Sequence, residues 1–239
     1  MFLKEIDFKE FNLKKNLSLK KKLNKILNKK NSVIESLSKN YKNSYDKKLL
    51  NKYKKSLNFR VIGMGGSILG TQAIYDFLGH KIKKKFEFIN NLDSSLKNKP
   101  EKKYVNLIVS KSGNTIETIA NVNLFVKKKD QNIFITENKN SYLFHLANQL
   151  KSEIVHHNNF IGGRYSVLSE VGMLPAELMS LKANNFKNYN NLIKNKYFLN
   201  NLVSNVCSTL YLVKKKKFNS IIINYDEKSN NLFNWYQQL

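Results

Sequence analysis

Cysteine is nearly absent from this chain. Cys207 stands alone in 239 residues, which excludes an intramolecular disulfide framework and a cysteine-rich zinc site. Long apolar runs are missing too. The stretch Val105 to Val109 is broken by Asn106, and nothing approaches the roughly 18 apolar residues that cross a bilayer. The first ten residues, MFLKEIDFKE, mix acids and bases where a signal peptide would carry an apolar core. Proline occurs only at Pro100 and Pro175, and arginine only at Arg60 and Arg164. Acidic residues number 17 against 42 basic ones. What remains is a chain with 41% apolar residues, too apolar for wholesale disorder and long enough for one full domain and part of a second. The expected class is a reduced, cytoplasmic enzyme or binding protein.

A net charge of +25 ordinarily suggests nucleic acid or an anionic membrane. The kind of basic residue argues otherwise. Nearly all are lysine, and Asn, Ile, Phe and Tyr are abundant beside them. These residues share codons made mostly of A and T, so an AT-rich genome enriches them together without selection for a partner. Specific DNA readers lean on arginine for bidentate contacts to guanine. The sequence therefore predicts neither a nucleic-acid partner nor a membrane partner. A mild attraction for small phosphorylated molecules survives.

Residues 1–55 carry leucines and isoleucines three and four apart (Leu13, Leu17, Leu19, Leu23, Ile26, Leu27), the spacing of amphipathic helices. Short apolar runs follow at Phe59–Ile62, Phe86–Ile89, Tyr104–Val109, Asn132–Thr136 and Glu153–His156, separated by helix-like stretches. That alternation predicts βαβ units and a five-stranded parallel sheet in a three-layer αβα sandwich. Residues 165–182 and 186–215 read as helical, Phe218–Asn224 as a buried strand, and Leu232–Leu239 as the beginning of a helix. The expected organisation is a helical segment over 1–55, a first α/β domain over 56–185, and linking helices with the start of a second domain over 186–239. In a half-built domain the apolar residues Ile221–Ile223 would be exposed and prone to aggregation.

Three segments carry chemistry. Val61–Gly70, VIGMGGSILG, follows a strand and opens a helix. Its glycines allow a tight turn, and backbone N–H groups at a helix N-terminus attract anions. Ile68 stands where a dinucleotide fingerprint needs glycine, and Thr71 and Gln72 follow Gly70 where a P-loop needs Lys-Ser/Thr. A plain strand-to-helix turn explains this segment equally well. Ser110–Thr118, SKSGNTIET, places three hydroxyls (Ser110, Ser112, Thr115) at a strand's C-terminal end, where they can surround a phosphate; Lys111 brings charge, with its side chain free to point there or elsewhere. Asn114 and Glu117 together imitate a capping box, so Glu117 is either a cap residue or a carboxylate that orients a distant histidine. Phe160–Pro175 contains Gly162-Gly163-Arg164. An arginine kept in so lysine-rich a chain points to the guanidinium itself, as a stabiliser of developing negative charge or as a salt-bridge partner. The histidines offer no metal set. Cys207 reads as buried core, and Trp235 and Tyr236 as helix packing.

In this order and spacing, the G-x-G-G-S-x-L-G turn, the SKSGNTIET loop, GGRYSVLS and the closing WYQQL resemble the glucose-6-phosphate isomerase family. The resemblance covers about residues 56–239; residues 1–55 match loosely, as a helical lead-in. It implies two sugar isomerase (SIS) domains, a cytoplasmic homodimer when full length, and no metal or organic cofactor. It implies that Ser110, Ser112 and Thr115, with Lys111, bind the phosphate, and that Gly66 and Ser67 form the sugar-contacting turn. Arg164, after Gly163, would stabilise a cis-enediolate. Gln238 would line the sugar pocket, and Glu117 would pair with a ring-opening histidine. In the family the catalytic base is a glutamate in a segment like Q-Q-L-x-x-E-S-x-G-K. This chain stops at Leu239, so the expectation is an N-terminal half that recognises a hexose 6-phosphate but does not turn it over. Glu170 and Glu177 are not reassigned as that base. Two other readings remain: a non-catalytic SIS-type sugar-phosphate sensor and a dual phosphoglucose/phosphomannose isomerase.

Overall fold

The computed structural model describes residues 17–29, 31–92 and 103–239; Leu13 lies outside them. The chain forms two compact units, one made of the chain up to Asn40 with Lys187–Ile223, the other of Tyr41–Phe186 with Asn224–Leu239. In the first, α1 (Leu17–Asn28) lies against the long α9 (Lys196–Lys214), where Lys20 Nζ donates to Asn200 Oδ1 over 3.0 Å. The unit also holds α2 (Ser32–Ser36) and α8 (Tyr189–Lys194). The helix expected over 186–215 is divided because Asn195 leaves helical geometry and caps α9, accepting from Phe198 N at 3.0 Å. Cys207 is buried, as a core residue should be.

The second unit carries the sheet. All five expected strands are found: β1 (Asn58–Gly63), β2 (Lys85–Ile89), β3 (Val105–Val109), β4 (Gln131–Thr136) and β5 (Glu153–His156). They pair in parallel in the order β2-β1-β3-β4-β5. Alternating residues build two cores. Phe59, Val61, Val105, Leu107, Val109, Ile133 and Ile135 face one side, with Leu49 and Tyr53 of α3 (Lys47–Tyr53), Ile74 of α4 (Leu69–Phe77) and Val171, Leu174 and Leu178 of α7 (Glu170–Leu178). Ile62, Ile89, Ile108 and Phe134 face the other, with Val122 of α5 (Ile116–Phe125) and Leu143 and Ala147 of α6 (Tyr142–Gln149). The result is the three-layer αβα sandwich that the alternation predicts.

The asparagine that interrupts the apolar run of β3 has a partner. Asn106 sits opposite Asn132 in the β3–β4 register, and its Nδ2 donates to Asn132 Oδ1 over 2.8 Å. A buried amide pair is tolerated where each side meets the other. Near the sheet's β2 edge the rings of Phe59 and Phe86 stack at 4.8 Å. The Asp46 side chain caps α3 by accepting from Leu49 N at 2.8 Å.

Further expectations are corrected. Residues 165–182 are not one helix. A tight 3-10 turn over Gly163–Leu168 precedes α7, and Ser169 between them is extended, with φ −94° and ψ −170°. Phe218–Asn224 is not a buried strand. It forms no strand, and Ile221 and Ile223 are 87% and 69% exposed. Its apolar residues suit a strand, but a strand exists only by pairing, and no described strand lies beside it. The final helix, α10 (Asn230–Gln238), forms as expected and packs on α4, where Asn231 Nδ2 donates to Asp76. Tyr236 does not pack: it is exposed. No helix among the described residues is long and apolar enough to cross a membrane.

Phe134 is fully buried at the centre of the second core. Phe134→Ala is expected to cost about 3–5 kcal/mol of unfolding free energy, read from the midpoint of a urea titration at unchanged slope.

Candidate active site

The strand order sets the site. β1 leads outward to β2, whereas β3 pairs on the opposite side of β1. Chain connections thus diverge between β1 and β3, and in open parallel sheets a crevice opens at the carboxyl ends of two such strands. Gly63, the last residue of β1, is in register with Val109, the last of β3. The VIGMGGSILG turn and the SKSGNTIET loop therefore leave the sheet side by side.

The turn after β1 is a short 3-10 segment, Gly65–Ser67, followed by α4. Gly66 is required by what lies above it. A Cβ there would overlap the backbone of Gly163 and Arg164, with Arg164 Cα at 2.6 Å. The turn thus touches the Arg164 segment main chain to main chain. Gln238, near the end of α10, closes the same corner, its Nε2 2.5 Å from where a Cβ on Gly65 would stand. Trp235 Nε1 donates to the Arg164 carbonyl at 3.3 Å, and Ser166 Oγ donates to the Gly163 carbonyl at 2.6 Å. Arg164 itself is exposed, and no described carboxylate or carbonyl engages its guanidinium.

The loop after β3 is held by its own hydroxyls. Ser110 Oγ accepts from Gly113 N at 3.2 Å and lies 2.9 Å from Thr115 Oγ1. Ser112 Oγ accepts from Asn114 N at 3.2 Å. Gly113 adopts a positive φ of 67°, and a Cβ there would overlap Ser141 Oγ, so only glycine serves both demands. Ser110 is buried, Thr115 half-buried and Ser112 exposed. The α5 N-terminus opens directly behind this loop, and its N-cap, Thr115, makes no side-chain cap bond, leaving first-turn N–H groups directed toward any bound anion. Glu117 lies half-buried in that first turn. Asn114 is not the cap of α5. Its Oδ1 accepts from Tyr142 N at 2.9 Å, so it caps the neighbouring α6, an arrangement that only the approach of two helices creates.

Lys111 turns away from the cradle. Its Nζ donates to the Asn159 carbonyl at 2.7 Å and stands 3.5 Å from Glu137 Oε1. Glu137 also pairs with Lys139. Burial pushes the Glu137 carboxyl up, but the two ammonium groups outweigh it and hold it below its ordinary value. A second cluster lies under the Arg164 segment. Buried Glu170 accepts from Asn158 N at 2.8 Å and from Tyr41 OH at 2.9 Å, and its Oε1 is 4.0 Å from His157 Nδ1. His157 is fully buried, its Nε2 without a described partner, and burial holds its pKa below the ordinary value. Nothing local in the sequence pairs these residues; the one hint is that Lys111, Glu137, His157 and Asn158 follow directly on strand C-termini. Among the described residues no cluster of His, Cys, Asp or Glu could hold a metal ion.

Two outcomes are expected. Gly66→Ala forces the turn and the Arg164 backbone apart and lowers the melting temperature by several degrees, since neither backbone can yield cheaply. His157 takes up its proton in the unfolded chain near pH 6.5 but later in the folded one, so the unfolded state binds more protons below that pH. Stability then falls as pH drops from about 7 to 5, and His157→Gln flattens that slope in denaturant titrations at each pH.

The sequence matches the family described as phosphoglucose isomerase over residues 21–239. A glucose-6-phosphate isomerase of Methanocaldococcus jannaschii is 33% identical over 219 residues, covering 83% of this chain and 53% of that protein. One from Fusobacterium nucleatum is 28% identical over 215 residues, covering 75% of this chain and 46% of that protein. The chain thus spans about half the length of these relatives. A solved glucose-6-phosphate isomerase from Chlamydia trachomatis shares the fold, with a TM-score of 0.63 at 22% identity over 80% of this chain and 41% of that one. With the matched stretch running through the β1 turn, the β3 loop, Arg164 and α10, the chain belongs to the phosphoglucose isomerase family.

Proposed function

We propose that this chain grips the phosphoryl end of a hexose 6-phosphate in the crevice between β1 and β3, as the substrate-recognising part of a cytoplasmic enzyme that interconverts glucose 6-phosphate and fructose 6-phosphate. The observation that carries the reading is the adjacency at the switch point: the register of Gly63 with Val109 sets the hydroxyl loop beside a turn that abuts Arg164.

In this reading the phosphate sits on Ser110, Ser112 and Thr115 and on the first-turn N–H groups of α5. Charge-assisted hydrogen bonds to a dianion are stronger than neutral ones. The sugar then extends past Gly66 and Ser67 toward Gly163, Arg164 and the Gln238 amide. Fixing the phosphoryl end places the reacting carbons, and that positioning lowers the barrier. The reaction opens the ring, removes the C2 proton and returns it to C1. The enediolate formed between those steps carries negative charge, which the unengaged guanidinium of Arg164 stabilises. In this reading Glu117 pairs with the ring-opening histidine that the family resemblance implies.

Neither Glu170 nor Glu177 is assigned as the general base. Glu170 is committed to Asn158 and Tyr41, and Glu177 to Tyr45, whose hydroxyl pKa is pushed well up by burial and by that carboxylate. General-base catalysis contributes typically about 10²–10⁴-fold, so recognition without turnover is the expectation for these 239 residues.

Calorimetric titration of the purified chain with fructose 6-phosphate should show saturable binding. Ser112→Ala should weaken it by roughly tenfold or more, the worth of one hydrogen bond to a charged group. A coupled isomerase assay should show no turnover. Absence of binding at saturating ligand overturns the recognition reading, and robust turnover overturns the account of the missing base.

A further inference from the structure

We infer that Lys111 is a positioning residue, whose ammonium ties the phosphate-side loop to the segment that carries Arg164 instead of contacting the phosphoryl group. The inference rests on the phosphate-binding reading of the Ser110–Thr115 loop and assigns that loop a second task.

Both ends of Lys111 are fixed. Its carbonyl accepts from Glu137 N at 3.2 Å and from Thr136 Oγ1 at 3.4 Å, at the C-terminal end of β4. Its Nζ reaches the Asn159 carbonyl and the Glu137 carboxylate. Three donors on one ammonium suit two separate acceptors, an oxygen on a loop and an oxygen on a carboxylate. Glu137 is largely buried and holds Lys139 as well as Lys111. With two cations beside it the carboxylate stays charged at neutral pH, which keeps the ammonium in place.

Asn159 matters because of where its segment leads. Residues 157–162 join β5 to the 3-10 turn that begins at Gly163 and includes Arg164. The other holds on this segment come from beneath it or from within it: Asn158 N donates to Glu170, His157 N donates to the Thr136 carbonyl at 2.8 Å, and Phe160 N donates to Asn158 Oδ1 at 2.9 Å. Lys111 is the described contact to this segment from a side chain of the β3 loop. Together with the Gly66 turn and Trp235, which hold the Arg164 backbone, that side chain sets the distance between the phosphate cradle and the guanidinium. For a ligand that occupies both ends of the site, the distance decides affinity; for one that fills only the cradle, it does not.

The test titrates the 239-residue chain with two probes, fructose 6-phosphate and inorganic phosphate. Lys111→Met is expected to weaken fructose 6-phosphate by about tenfold, since small misplacements of a positioned group are costly, while inorganic phosphate stays within about twofold, because the hydroxyls and first-turn N–H groups that would hold it are untouched. Lys111→Arg should restore most of the loss. Glu137→Gln should move both ligands in the same sense as Lys111→Met but less, because the Asn159 contact survives. Amide exchange should speed up at residues 159–164 in Lys111→Met and stay unchanged in β1, β3 and β4, which separates loosening from unfolding. Equal weakening of both probes, with exchange at 159–164 unaltered, overturns the inference and makes Lys111 a phosphate ligand. If the unaltered chain binds neither probe, the phosphate reading itself fails and the inference falls with it.

Discussion

Parallel pairing of β1 with β3, although β2 lies between them in sequence, is the constraint on which the molecule depends. Had the strands followed one another in order, the loops after β1 and β3 would leave the sheet apart. With β2 sent to the far side of β1, both loops emerge at adjacent carboxyl ends. The apolar residues that make this pairing, Val61, Ile62, Leu107, Ile108 and Val109, are almost wholly buried. Burial at about 25 cal/mol per Å² of apolar surface fixes their register, and the register fixes the crevice.

Close backbone approach completes the site. Gly66 admits the Gly163–Arg164 main chain, and Gly113 admits Ser141. Each glycine stands where another element would collide with a side chain. α10 returns from the far end of the chain to seal the same corner through Trp235 and Gln238. Arg164 is thus held by its backbone, and among the described residues no side chain or carbonyl engages its guanidinium.

The overall charge of +25 explains little of this. The lysines nearest the cradle are occupied: Lys111 by Asn159 and Glu137, and Lys139 by Glu137. In the proposed reading, what the site offers an anion is hydroxyls, helix N–H groups and one arginine. These directional donors discriminate shape and distance, which a diffuse cloud of ammonium groups does not.

Much of this was legible in the sequence. Apolar runs of strand length between helical periodicities located all five strands, because local pattern is written by the same burial that builds a sheet. The glycine turn, the hydroxyl loop and Gly-Gly-Arg announced themselves by composition at strand ends. What the sequence could not decide was partnership. Asn114 looks like the cap of its own helix but caps α6, because α6 packs within reach. Phe218–Asn224 has the residues of a strand and forms none, because no described neighbour supplies the other half of the ladder. Lys111 reads as a phosphate residue from its neighbours in sequence, yet its ammonium is directed by Asn159 and Glu137, residues on other loops. Propensity, periodicity and turn chemistry are properties of a chain with itself. The acceptor that a side chain finds depends on which distant segment the fold brings beside it.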